Sequence, residues 1–314
     1  MKEVITMGEP MVVFMADTPG SLEEAEHFSK GMAGAEMNVA IGLSRLEHEV
    51  LYLTKLGEDP FGRYMQKFME KEKVLTDGVL LDSIYQTGFY LKNKVLEGDP
   101  EIFYYRKNSA ASHLSPEDVD KIDFTGAKWL HVTGISPALS VSCKEAVLRS
   151  IEKARENHMT ISFDPNIRVS LWKSFDEMKE CMNYIAGLCD YVLPGIKEGQ
   201  MLTGLDTAEE IADYYLKMGC KGVIVKDGAE GAYYKLQGEN LKKVAGYHVE
   251  HIVDTVGAGD GFATGVISGC LENLPMEEAV KRGNAIGAIV ITSKGDNENL
   301  PNRAELKAYM ESNT

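Results

Sequence analysis

Short apolar runs, each closed by a glycine, proline or aspartate, recur along the chain. Between them lie stretches with the helical spacing of apolar positions. The runs Val4–Met7, Trp129–Val132, Thr160–Phe163, Tyr191–Leu193 and Val223–Val225 predict buried strands; Asn38–Leu46, Phe61–Glu72, Lys144–Asn157 and Thr207–Met218 predict helices. A strand that is apolar throughout needs cover on both faces. Strand and helix in alternation therefore predict βαβ units around a largely parallel sheet, an α/β fold. Two segments depart from this. Met11–Phe28 and Tyr85–Tyr105 pattern every other residue (Phe89 and Leu91; Ile102 and Tyr104), with a Glu-Gly-Asp-Pro turn at 97–100. They predict a small antiparallel sheet projecting from the α/β body as a lid or an oligomer contact.

Composition narrows the picture. Nothing in the 314 residues reads as a repeat, low-complexity tract or linker, so one unit over 1–314 is expected, with lid segments at about 11–32 and 84–107. The formal charge of −15 argues against nucleic-acid or anionic-membrane partners, which attract Lys and Arg. No run approaches the roughly 18 apolar residues of a membrane span, and the start MKEVITMGEP lacks a signal-peptide core. Five scattered cysteines, with no CxxC spacing, suit reduced thiols better than disulfides or zinc. A cytoplasmic location is expected.

The charge also poses a question, because an anionic ligand would meet a repelling field. Asp254-Thr-Val-Gly-Ala-Gly-Asp260 offers an answer. Tyr247, Val249 and Val253 alternate with polar residues before it and predict a strand; Phe262, Val266, Cys270 and Leu274 follow at helical spacing. Gly257-Ala258-Gly259 is then a tight turn at a helix N-terminus, where bare amides and the helix dipole hold an anion. Asp260 reads either as a helix cap, worth about 1 kcal/mol, or as a base. A carboxylate beside a bound phosphate is a poor cap, but within reach of a hydroxyl it can take that proton during phosphoryl transfer.

The same stretch resembles the C-terminal signature of the ribokinase-like (PfkB) carbohydrate kinases, and the resemblance extends over nearly the whole chain. Gly31-Met-Ala-Gly34-Ala-Glu-Met-Asn38 is similar to the family's N-terminal glycine motif, with Ala33 where a second glycine is usual. The resemblance implies a three-layer αβα sandwich with a small β lid, and ATP and Mg²⁺ as cofactors, leaving K⁺ open. It implies Asp260 as base, with Gly257, Ala258, Gly259 and Arg168 completing the catalytic set. Glu198 would hold hydrated Mg²⁺, although Gly195 replaces the asparagine that usually opens that motif. Lys226, Gly228, Gly231 and Asn284 would lie on the nucleotide side; read alone, Lys226–Gly231 is equally a hairpin turn and Asn284 a packed helix residue.

The acceptor must be read by the lid and nearby loops. Two arginines near a small polyol suggest an anionic group, which a guanidinium meets in a planar fork. The element Tyr104-x-Arg106-x-x-Ser-Ala-Ala111 resembles that of family members acting on 2-keto-3-deoxygluconate. By that resemblance Gly34, Asn38, Tyr90, Tyr104, Arg106, Arg168, Asp260 and Asp296 line the acceptor site, and the C6 hydroxyl is phosphorylated. Fructokinase or another sugar kinase is the alternative, since Asp-Pro-Asn-x-Arg168 occurs in both groups. A nucleotide-binding module without turnover is more remote, given Asp260. A dinucleotide oxidoreductase is weaker still, since no Gly-x-Gly-x-x-Gly follows the first strand. A homodimer joined through the lid is the expected assembly.

Overall fold

Every strand and helix predicted for the α/β alternation is present, the ends shifted by a few residues. The computed structural model describes residues 2–95, 100–293, 295 and 297–313, so most of the predicted 97–100 turn, and Asp296, lie outside the described residues. The strands are β1 (Val4–Met7), β2 (Met11–Pro19), β3 (Phe28–Ala33), β4 (Val50–Gly57), β5 (Val79–Asp82), β6 (Phe89–Lys94) and β7 (Ile102–Tyr105). Then come β8 (Trp129–Thr133), β9 (Thr160–Asp164), β10 (Tyr191–Val192), β11 (Gly222–Lys226), β12 (Ala232–Leu236) and β13 (Lys242–Val244).

Nine of them form one sheet in the order β13-β12-β11-β10-β9-β8-β1-β4-β5. The joins from β5 through β11 are parallel, and β12 and β13 add an antiparallel edge. Side chains alternate between two cores. Ile5, Met7, Leu130, Phe163 and Val225 face helices Val141–Glu156, Phe175–Gly187 and Ala208–Lys217. Val4, Tyr52, Trp129 and Ile224 face helices Ala35–Arg45, Pro60–Lys71, Ala258–Leu271 and Met276–Val290. The helix Ala258–Leu271 is buried over most of its length, as its apolar circumference demands. The result is the three-layer αβα sandwich. Among the described residues no helix is long and apolar enough to cross a membrane.

The chain builds β1, β4 and β5 outward, then returns to place β8 on the other side of β1. Such a reversal leaves a crevice beyond the carboxyl ends of the strands, where ligands of open α/β sheets bind. The lid sheet, β3-β2-β6-β7, stands beside that crevice. It corrects the expectation of a purely antiparallel sheet, because β2 and β6 pair in parallel between two antiparallel pairs. Each lid segment brings its own hairpin-like pair, and both inner strands run in the same direction. Phe14 and Phe89 pack on Phe61 at the start of helix Pro60–Lys71, tying the lid to the body. Tyr105 stacks on Phe89 while remaining half exposed, as does Phe103.

The expected strand before the glycines is also corrected. Residues 245–257 are irregular, and Val253 donates instead to the Ile291 carbonyl. Tyr247 packs against the core from this irregular segment, whereas Ile252 and Val253 are exposed.

Candidate active site

Gly257 adopts φ of +80° and caps helix Ala258–Leu271, a left-handed geometry that glycine takes without strain. Asp260 is therefore not the cap. It is the third residue of the helix, within the first turn, and 9% exposed. One oxygen accepts from Asn38 Nδ2 at 2.8 Å and the other from Asn166 Nδ2 at 3.4 Å. Asn38 is itself oriented, because its amide oxygen accepts from Asn297 Nδ2 at 3.2 Å. This fixes which end of the Asn38 amide faces Asp260. Asn166 holds a left-handed φ of +39°, an uncommon conformation of the kind that clusters at functional positions.

A cavity of about 360 Å³ opens at this point, between the strand ends and the lid. It brings together Gly34, Asn38, Tyr90, Tyr104, Arg106 and Arg168 from the expected acceptor set, with Asp260, Gly257 and Gly259. Glu198 and Lys226 line it too. Tyr90 and Tyr104 are register partners on β6 and β7, their rings 5.2 Å apart, so alternation delivers both to the cavity side. Gly228, Gly231 and Asn284 lie elsewhere, around the turn after β13. The Gly228–Gly231 segment closes the hairpin between β11 and β12, and Asn284 donates to the Val244 and Ala245 carbonyls at 3.2 and 3.0 Å. Ala258 contributes as the first residue of its helix. Asp296 falls outside the described residues.

Charge in the cavity is largely matched. Lys226 Nζ lies 2.5 Å from Asp164, and Lys92 Nζ lies 2.6 Å from Asp254. Arg106, read from sequence as facing the acceptor's charge, has Glu9 at 2.5 Å. Arg168 is exposed and donates to the Ile167 carbonyl; among the described residues it has no acidic partner. Burial alone would push the Lys226 ammonium down, but Asp164, Glu198 and Asp260 around it raise it overall. Glu198 accepts from the Ile167 and Gly195 amides, each at 2.8 Å. Gly195 thus serves the loop through its backbone, and the missing asparagine side chain leaves Glu198 in place.

Glu9, Lys92, Asp254, Asp164, Asn166 and Asn297 escaped the sequence reading as site residues. Asp254, Asp164 and Asn166 fall within the motifs quoted above, but the side-chain pairs Lys226–Asp164, Lys92–Asp254 and Asn297–Asn38 span 62 to 259 positions, which no local spacing signals. Beside Glu9 lies a second buried carboxyl, Glu36, which accepts from Thr133 Oγ1 at 2.6 Å and Ser136 Oγ at 3.3 Å. Burial raises Glu36 above its ordinary 4.5 despite those donors. A carboxyl raised in the folded state binds more protons than the unfolded chain, so its contribution is complete below about 4.5 and declines as pH rises. Glu36→Gln removes that decline. The difference in urea-unfolding free energy, variant minus wild type, is expected to grow as pH rises above about 4.5 and to level off once the buried carboxyl has ionised; a difference that does not change with pH would rule the account out.

A carboxylate beside bare amides at a helix start can serve phosphoryl transfer to a hydroxyl. The description "pfkB family carbohydrate kinase" matches residues 1–303, and the chain belongs to that family. It is a carbohydrate kinase. Within the family it is 47% identical, over 98% of its length and 95% of the relative's, to the 2-dehydro-3-deoxygluconokinase of Bacillus subtilis (strain 168). The crystal structure of a PfkB protein from Polaromonas sp. JS666 superposes with a TM-score of 0.89 at 44% identity, covering 98% of this chain and all of that one. A putative ribokinase II of E. coli, solved in complex with ATP and Mg²⁺, superposes with a TM-score of 0.90 at 26% identity, over 99% of this chain and all of that one.

Proposed function

We propose that the cavity transfers the γ-phosphoryl group of ATP to the C6 hydroxyl of 2-keto-3-deoxygluconate (2-dehydro-3-deoxygluconate). The observation that carries this is the joint presence, in one cavity, of an amide-held Asp260, the bare Gly257–Gly259 turn and an unmatched Arg168. Asp260 takes the hydroxyl proton as the acceptor oxygen bonds to phosphorus and the bond to the ADP oxygen breaks. The Gly257–Gly259 amides and the helix N-terminus stabilise charge on the phosphoryl oxygens. Asn38 and Asn166 keep the carboxylate aimed. The Val244–Gly246 turn, braced by Asn284 and Gly231, forms the nucleotide side.

Mg²⁺, when bound, neutralises charge on the phosphates. Among the described residues no group of three or more acidic, His or Cys side chains could cage a metal. A single carboxylate acting through water fits that donor set, because Mg²⁺ keeps several of its waters. Glu198 has lone pairs left beyond its two amide bonds, and would hold the hydrated ion.

The acceptor's carboxylate falls to Arg168. Kinetics on a panel of sugar acids and neutral ketoses test both halves of the reading. Wild-type kcat/KM should be highest on 2-keto-3-deoxygluconate. Arg168→Ala should lower kcat/KM for sugar acids about 10- to 100-fold, the value of a hydrogen bond to a charged group, and for fructose less than about threefold. A higher wild-type value on fructose would remove the acceptor assignment and leave the kinase.

A further inference from the structure

Glu9 lies two residues beyond the end of β1, and its side chain is fully enclosed. A buried carboxylate needs a counter-charge and hydrogen bonds. Glu9 has both. Oε2 accepts from Arg106 Nε at 2.7 Å, and Oε1 accepts a short bond from Ser109. The space is kept for it: a Cβ on Gly88 would come within 2.6 Å of Glu9 Oε1. The guanidinium it grips lines the acceptor cavity. Arg106 Nη2 lies 2.5 Å from the same Glu9 oxygen but off the hydrogen-bond axis, and no other group accepts from it among the described residues. Nη2 is itself buried, so the charge of Arg106 is met by Glu9, while the side chain, 10% exposed, still lines the cavity. A guanidinium in that state is a donor to neutral hydroxyl or keto oxygens, and a weak receptor for an anion.

We propose that Glu9 is a positioning residue that sets acceptor selectivity: by clamping and neutralising Arg106, it leaves Arg168 as the group that reads the acceptor's anionic end. This rests on the reading of the cavity as the site of a sugar acid. It gives the two arginines different tasks, and it orients the substrate. An acid bound with its carboxylate on Arg106 would bring that anion beside buried Glu9, with Glu36 also near, so the reverse orientation is disfavoured.

The test compares Glu9→Gln, Glu9→Asp and the doubly neutral Glu9→Gln/Arg106→Gln, assayed on a sugar acid and on fructose, with sodium acetate as a probe anion against matched chloride. Glu9→Gln keeps the shape and exposes the charge of Arg106. Its acid-to-fructose ratio of kcat/KM should rise about tenfold, mainly through KM, the effect of one unmatched charge near the ligand at moderate effective dielectric. Acetate should become a competitive inhibitor of this variant alone. Glu9→Asp should stay near the wild-type ratio, and the double variant should return to within about threefold of it. Equal KM changes for both acceptors together with insensitivity to acetate would overturn the proposal, as would a selective loss of acid turnover in the double variant. Should Glu9→Gln fail to fold, the double variant decides. The acetate measurement uses whichever sugar the wild type phosphorylates, so a wild type that ignores sugar acids removes the acceptor reading while the role of Glu9 is still decided.

Discussion

Asp260→Asn is expected to lower kcat by about 10²- to 10⁴-fold, the range of general-base contributions, with nucleotide binding changed less than about threefold. The substitution preserves size, and its amide oxygen can still accept from Asn38. The amide nitrogen then faces Asn166 Nδ2, whose bond to Asp260 is already long at 3.4 Å, so little packing energy is at stake. What disappears is the ability to hold a proton taken from the acceptor. Cap loss cannot contribute, because Gly257 and not Asp260 caps the helix. Steady-state assays with coupled ADP detection, nucleotide titration by intrinsic fluorescence, and urea unfolding separate the three quantities. Near wild-type turnover in a folded variant would remove Asp260 as the base. A loss of stability as large as the loss of rate would reassign it to the fold.

How much of this was legible in the sequence depended on how local the physics was. Periodicity located the sheet and its helices because each strand carries its own pattern of burial, as Val4, Ile5 and Met7 do in facing opposite cores. The glycine turn was legible for the same reason: the bare amides, the cap and the helix all lie within a few residues. Periodicity misled at Tyr247–Val253, where alternating apolar residues border a loop; alternation records a repeat and not the neighbour that would cover it. It also left the β2–β6 pairing direction open, since side-chain alternation is the same in parallel and antiparallel strands. Charge matching was illegible. Nothing near Arg106 in sequence says that Glu9 will meet it, and the two share a site only because β1 ends beneath the lid. In sequence the two arginines look alike; in the fold Arg106 is paired with Glu9, and Arg168 has no acidic partner among the described residues.

Lys226→Met is the other large effect, and here stability moves first. Lys226 ends β11, Asp164 ends β9, and their salt bridge is nearly enclosed, with side chains 17% and 3% exposed. Asp164 also accepts from the Asn166 amide at 3.1 Å, which holds the turn that carries Asn166 to Asp260. Removing the cation leaves Asp164 without a counter-charge and takes from Glu198 and Asp260 the charge all three share. Breaking a buried pair at one side costs about 3–5 kcal/mol, to be read from urea unfolding at neutral pH. The second variant, Lys226→Met/Asp164→Asn, separates fold from function. It removes both charges yet keeps an oxygen for the Asn166 amide, so most of the lost stability should return. Activity should not. The ammonium lies beside Gly259, 3.6 Å from where a Cβ on that residue would stand, in position to share the phosphoryl charge with the loop amides. Loss of one charge-assisted contact leaves kcat at least about tenfold below wild type. A double variant that recovered rate along with stability would make Lys226 a structural counter-ion and leave the phosphoryl group to the backbone.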